Sequence, residues 1–477
     1  MVTTETRPIY TYTGHPLVDV GASVIAAFNH RRSVEEVTEQ DVAEIVRFIT
    51  QHYFRDPLKG FLTTVFPNSA YANPTMGEDR KREVAADVLA TSPLSEAEGQ
   101  ERCSFCGQAA KRRFRQHVPL VTGEGTVNFT PRGQAGLPVC PACLVAIQAC
   151  VLGTLKCQGR LLLAHSDDPT LTLRIAAAFL AKNQAILSIP SSGKYPESKY
   201  PGTILMDALQ TSQQSQEAST IRPSLTAYHL TNYGTSANVD IYHLPCELLA
   251  FVNAAQASPP VREGWQYAVR QGWRMGLVSA KGKPAEEPAE YRVGEHRNQL
   301  YEDLFDLAGD RARLSRFVRR HLSWRTPDAL ARAPNGPTVP DAWPLTEVFL
   351  RMVLLMEKAR VDVLRKLGER FAGYVVEQND RRFFDRLWRE SERYYQLRNH
   401  ILRASHAQVK RGEAPLISFD EFLLAFEEGE EIARADWSLA RDLLLIRMMD
   451  ELHARGWLRE HGAELPDAPE EATEVDE

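Results

Sequence analysis

Two short cysteine pairs constrain this chain more than any other feature of its sequence. Cys103-Ser104-Phe105-Cys106 and Cys140-Pro141-Ala142-Cys143 are both CxxC, with 33 residues between Cys106 and Cys140. A two-residue gap lets both thiolates of a pair face one ion while amides of the turn donate to the sulfurs. Two such knuckles predict a closed four-cysteine zinc site, and Gly107 suits the tight turn after the first pair. Disulfides are the rival reading. However, Met1 leads into the polar stretch Val2 to Arg7 and not into an export signal, so the expected compartment is the reducing cytoplasm. With every position filled by protein sulfur, none remains for water, and the expected zinc is structural, one ion per chain. Cys150, Cys157 and Cys246 lack partners at ligand spacing and read as core thiols.

With 477 residues and 43% hydrophobic content, the chain can bury a sizeable core over roughly two to four domains. Its longest apolar runs, Leu161 to Ala164 and Ile175 to Ala181, fall far short of the ~20 residues needed to cross a bilayer, so no membrane association is expected. The net charge of −6 hides an asymmetry along the chain. Lys111 to Arg115 read KRRFR and Arg311 to Arg325 read RARLSRFVRRHLSWR, while the end of the sequence is acidic. Each basic run reads equally as a solvated face or as a polyanion contact.

Local patterning predicts an α+β protein: a mixed N-terminal region with an inserted four-cysteine zinc-ribbon-like module, followed by a C-terminal α-helical bundle. The expected divisions are a mainly helical 1–100, a zinc module 101–160, an α+β body 161–325, a helical bundle 340–460 and an acidic disordered tail 461–477. Thr38 and Asp41 have capping-box spacing before an apolar helix, as do Ser418 and Glu421 before Phe419 to Glu430. Further helices are expected over Gly77 to Ala90, Thr170 to Lys182 and Leu439 to Arg455, the last stopped by Gly456. Strands are expected over Ala185 to Pro190, Leu225 to Leu230 and Val239 to Leu244. Ser191 to Pro201 and Ser258 to Glu290 read as loops from their proline, glycine and charge content. The prolines of Arg325 to Pro344 mark a boundary.

Several groups are candidates for nucleic-acid contact. Between the knuckles, Lys111, Arg112, Arg113 and Arg115 can neutralise phosphates, and Asn128 or Gln116 can reach base edges. Arg382, Arg386, Arg389 and Arg393 recur at steps of four, three and four, which places four cations on one face of a continuous helix. No enzyme signature is complete. Ser192-Gly193-Lys194 lacks the upstream glycine of a phosphate loop, and His165-Ser166-Asp167-Asp168 has no companion cluster for a metal-dependent nuclease. No catalytic residue is expected. A zinc-ribbon scaffold that binds only protein remains a further alternative.

The ordered set of motifs resembles the CXXC-CXXC family of large subunits from type I-B CRISPR-Cas surveillance complexes (Cascade). Its carriers are Thr13-Gly14-His15-Pro16-Leu17-Val18-Asp19-Val20-Gly21, Tyr53-Phe54 with Phe61, and Asn73-Pro74. The two knuckles follow, with Asn128-Phe129-Thr130-Pro131 and Gly136-Leu137-Pro138-Val139 between them, then Thr231-Asn232-Tyr233-Gly234 and Ile241-Tyr242-His243-Leu244-Pro245. The resemblance implies a non-catalytic subunit near the 5′ handle of the guide RNA. It would recognise the protospacer-adjacent motif, help open double-stranded target DNA and hold the displaced strand beside the Cascade backbone and small subunits. A helicase-nuclease, or transposition proteins in a transposon-associated relative, would be recruited. Asn73 and Asn232 join Asn128 as motif readers by this resemblance, turn stabilisation being the alternative for each. The resemblance also implies a small-subunit-like bundle, which Met352 or Met356 would begin if it were also made separately.

Overall fold

The computed structural model describes residues 8–90, 101–121, 135–188, 197–213, 222–232, 237–277, 288–307, 311–322, 340–389, 393–428 and 432–461. It is a mixed α/β structure that divides into two compact units, one made of residues 1–249 and 273–308, the other of 250–272 and 309–477.

The first unit starts with α1 (Pro16–Phe28), which is buried from Leu17 through Ala26. A helix apolar on every side belongs inside a core. Thr38 caps α2 (Glu39–His52) in a complete capping box with Asp41. After α3 (Lys59–Val65) and α4 (Glu78–Val88) come strands β1 (Arg112–Phe114) and β2 (Leu137–Val139), an antiparallel pair in register Arg112↔Val139. Helix α5 (Pro141–Ala149) follows β2 directly.

A four-stranded antiparallel sheet then forms in the order β3 (Thr154–Cys157), β4 (Arg160–Ser166), β5 (Leu225–Thr231), β6 (Asn238–Leu244). Helices α6 (Pro169–Ser188) and α7 (Pro201–Gln213) lie between β4 and β5 in sequence. Leu161 pairs with Leu230, and both join the core that contains α1 and the cysteine knuckles. The cysteine region is therefore continuous with this hydrophobic core. Close packing depends on Gly21, where an added Cβ would lie 1.8 Å from the Ala146 carbonyl oxygen of α5. The division between units falls inside α8 (Cys246–Ala254) and α9 (Pro259–Gly276), and α10 (Gln299–Phe305) returns to the first unit.

In the second unit, α11 (Arg311–Phe317) runs into a π-helical turn, Val318–Leu322. Beyond the undescribed 323–339 lie α12 (Trp343–Met352), α13 (Lys358–Gln378), α14 (Arg381–Arg389), α15 (Tyr394–Lys410), α16 (Phe419–Phe426), α17 (Trp437–Ala454) and α18 (Trp457–His461). Gly368 lets α13 meet α17, since its Cβ would fall 2.7 Å from Arg447 Cβ. Two buried cations tie the helices together. Arg360 pairs with Asp436 at 2.7 Å and donates to the Ala425 carbonyl, while Arg447 pairs with Glu369 and Glu451. Among the described residues, no helix is long and apolar enough to cross a membrane.

Three local expectations are corrected. Ala185 to Ser188 continue α6 and do not form a strand. Most of Ser258 to Glu290 is not loop, because Pro259 and Pro260 open the 18-residue helix α9, where missing amide protons cost nothing. The four-arginine helix is broken: Arg393 has an extended backbone (φ −115°, ψ 141°) and caps α15, so it does not continue α14. The acidic 461–477 lies outside the described residues after His461.

Candidate metal centre and nucleic-acid surfaces

Each knuckle is formed by a different local device. At the first, Cys103 N donates to the Gln108 carbonyl and Gly107 N to the Cys103 carbonyl, at 2.7 and 3.0 Å. Gly107 adopts φ +72°, the left-handed conformation that favours glycine. Ser104 N donates to the Pro138 carbonyl, which fastens this turn to β2. At the second, Cys140 is the N-cap of α5: its Sγ accepts from Cys143 N at 3.4 Å, and Pro141 occupies the first turn.

All four sulfurs lie within 4.8 Å of one another, with Cys106 and Cys140 Sγ 3.5 Å apart, close enough to hold one metal ion. Zinc–sulfur bonds of ~2.3 Å in a tetrahedron need sulfurs about 3.8 Å apart, so the cysteines suit zinc. Cys103, Cys140 and Cys143 are buried and Cys106 is half-buried. A cavity of about 330 Å³ opens beside them, lined by Thr11, Glu39, Cys106, Gln108 and Pro141. His15 meets the knuckle residue Phe105 edge to face at 4.6 Å, and Tyr10 Oη donates to the Ala142 carbonyl. The remaining thiols are placed differently. Cys150 and Cys157 are buried, and burial pushes both thiols up to about 12, which makes them poor nucleophiles and poor ligands. Cys246 is half-buried at the start of α8.

The basic insert is unevenly available to a ligand. Arg113 is held by Glu101 at 2.7 and 2.9 Å and donates to the Gly136 carbonyl. Lys111 Nζ donates to the Ala90 carbonyl at 2.9 Å. Arg115 is half-buried, with its Nε enclosed and without a hydrogen-bond partner. Only Arg112 of the four is exposed, its guanidinium 4.8 Å from the Phe114 ring centre and 3.8 Å from the exposed carboxylate of Asp87. Asn128 lies outside the described residues, as do Ser192-Gly193-Lys194.

The two other asparagines bond to the chain itself, Asn73 locally and Asn232 across distant segments. Asn73 Oδ1 accepts from Thr75 N and Oγ1, which closes a turn on the surface. Asn232 is buried. Its Oδ1 accepts from Leu120 N and its Nδ2 donates to the Val65 carbonyl, while its own amide donates to the Thr64 carbonyl. Its amide is thereby committed to joining three chain segments. In the second unit, Arg382 and Arg393 are exposed and Arg386 is half-buried; the side chain of Arg389 lies outside the described residues.

The residues of the nuclease alternative are dispersed over separate tasks. His165 Nε2 lies 3.1 Å from Asp19 Oδ2 and 2.9 Å from Tyr12 Oη. Asp167 Oδ1 accepts from Ser224 N, and Asp168 Oδ1 from Thr170 N. The buried Asp19 also accepts from Thr13 N and Oγ1 at 2.8 and 2.7 Å, and Tyr12 Oη donates to the Ser166 carbonyl. Sequence reasoning missed this Tyr12–Asp19–His165 network because its partners lie about 150 residues apart; the only signal was the motif containing Asp19. Comparison with family models, curated proteins and solved structures finds no match to this chain.

Proposed function

We propose that the chain is a non-catalytic, zinc-stabilised large subunit of a type I-B CRISPR RNA-guided surveillance complex. It recognises the protospacer-adjacent motif, helps open target DNA and holds the displaced strand. Its partners are then the guide RNA, the Cascade backbone and small subunits, and a recruited helicase-nuclease or transposition proteins. The observation that carries this reading is the convergence of several of the motif residues, scattered over more than 200 positions, on one core. Gly21 packs on Ala146 just past the second knuckle, His15 meets Phe105, Tyr53 Oη donates to the Gln148 carbonyl at 2.7 Å, and Asn232 binds Val65 and Leu120. Residues that recur together in a family are expected to build one scaffold. Here they fix loops around a four-sulfur centre whose positions are all filled by protein, so zinc there would secure the fold and not activate water.

In this reading the helical part of the second unit corresponds to a small-subunit-like bundle, with Arg382 and Arg393 on its exposed surface. Arg112 is the best placed cation of the zinc-ribbon-like module for a phosphate. Sequence specificity comes from guide pairing while the protein reads a short duplex motif, a division of labour known for another class of guided effector. The test is reconstitution of the complex from its guide RNA and backbone subunits, with and without this chain, on target DNAs that differ only in the flanking motif. The chain should co-purify with the complex and confer motif-dependent duplex opening. Failure to co-purify, or equal opening without the chain, would sink the proposal.

A further inference from the structure

Helix α15 (Tyr394–Lys410) has two faces. Leu397, His400, Ile401, Ala404 and Ser405 are buried and form the inner one. The outer face carries three of the nine large hydrophobic side chains that are exposed among the described residues: Tyr395, Leu402 and Val409, at 55%, 49% and 52%. Asn399 and His406 lie between them and are exposed too. These five positions follow one another at steps of four, three, four and three, the spacing of the a and d positions of a heptad repeat. With Tyr395, Leu402 and Val409 at d, Asn399 and His406 fall at a, and the seam runs roughly 21 Å along the helix.

The charges beside this seam define what completes it. Arg403 and Lys410 occupy e positions and are exposed, and the helix contains no Asp or Glu. In a two-stranded coil, e positions meet g positions of a parallel partner or e positions of an antiparallel one, so these cations call for carboxylates on the partner. A second copy of α15 does not supply them, because its own e and g residues are Gln396, Arg398, Arg403, Ser405 and Lys410. A nucleic-acid backbone would satisfy the cations but leave Leu402 and Val409 in water, where their apolar area contributes nothing.

We propose that the outer face of α15 docks an acidic amphipathic helix of another protein in a two-stranded coil of about two heptads. Apolar side chains of the partner pack between Tyr395, Leu402 and Val409, and its carboxylates meet Arg403 and Lys410. Asn399 sets the register, as a lone asparagine at an a position does at a cost in stability. So short a seam makes the contact reversible, because little apolar area offsets the cost of association. The pairing follows from α15 alone and holds whatever assembly the chain serves.

The probe is a fluorescent three-heptad peptide with Leu at a and d, one Asn at the central a, and Glu at e and g; its counterpart carries Lys at e and g. Anisotropy with the full chain should show the Glu peptide binding at least about tenfold more tightly than the Lys peptide. Arg403→Glu with Lys410→Glu should reverse that preference. Leu402→Ser with Val409→Ser should weaken the Glu peptide at least about fivefold. All four side chains are exposed, so circular dichroism should not change. Failure of the Glu peptide to bind, equal binding of both peptides, or a preference untouched by charge reversal would overturn the proposal. A rival occupant would overturn it as well. A second copy would show as self-association lost in the Leu402→Ser, Val409→Ser variant, and nucleic acid as single-stranded oligonucleotide binding lost in the same variant.

Discussion

Gly21 and Ala146 touch without any intervening side chain: a Cβ on Gly21 would sit 1.8 Å from the Ala146 carbonyl oxygen, where nothing can yield but backbone. Gly21→Ala should therefore force α1 away from α5 and lower the stability of the first unit by about 1–3 kcal/mol, as overpacking does. Gly60→Ala is the contrast. It lies in helix α3, its Cβ would meet only Lys156 Nζ at 3.9 Å, and the change should add about 0.5–1 kcal/mol. Urea midpoints of the two variants compare them directly, and a neutral Gly21→Ala would show that this crossing is slack.

Asn232→Ala removes one acceptor from Leu120 N, which is partly buried, and one donor from the buried Val65 carbonyl. Each orphaned group costs about 1–3 kcal/mol, so the expected loss is about 2–6 kcal/mol, measured by denaturant titration. A variant that keeps its stability and instead loses motif preference in the assembled complex would assign Asn232 to base reading.

For the metal centre, elemental analysis of freshly purified, reduced protein should find one zinc per chain. Changing Cys103 and Cys140 to Ser should abolish it and speed amide exchange in β1 and β2, which the knuckles flank. Metal-free wild-type protein with unaltered exchange would remove the zinc from the proposal.

His117 supplies a pH dependence. Burial against Tyr71 and Phe114 lowers its pKa from 6.5 to about 4, and its ring centre is 5.0 Å from that of Tyr71. Between those two values the unfolded chain binds the proton and the folded one does not. The stability due to this group is thus complete above about pH 6.5 and is lost progressively as pH falls toward 4. His117→Gln should flatten the stability curve in that window, and the wild-type imidazole should remain neutral at pH 5 by NMR.

Features that depend on neighbouring residues were legible in the sequence. Both capping boxes, Thr38 with Asp41 and Ser418 with Glu421, occur where their spacing put them, because the partners lie within one turn. The knuckles were legible for the same reason. Proline content misled at α9, since Pro259 and Pro260 end a helix only when they fall inside one. Apolar content near Ala185 suggested a strand, yet the segment extends α6, whose Asn183 is held by the carbonyls of Leu152 and Thr154. Arginine spacing assumed a continuous helix across Arg393 and had no access to the extended backbone there. The commitment of Asn232 and the pairing of Asp19 with His165 were invisible, as each joins residues more than 100 positions apart in sequence.

The burial of α1 on every side has a consequence for synthesis on the ribosome. Its packing partner α5 begins 113 residues after α1 ends. At ~5–20 residues per second, that interval is roughly 6–23 s. Throughout it, α1 has only the turn Val34–Glu36 and α2 among its main native partners to pack against, and Asp19 must wait longer still for His165. The nascent N-terminal region is therefore a strong client for holding chaperones, and slower elongation between residues 28 and 141 should increase its aggregation.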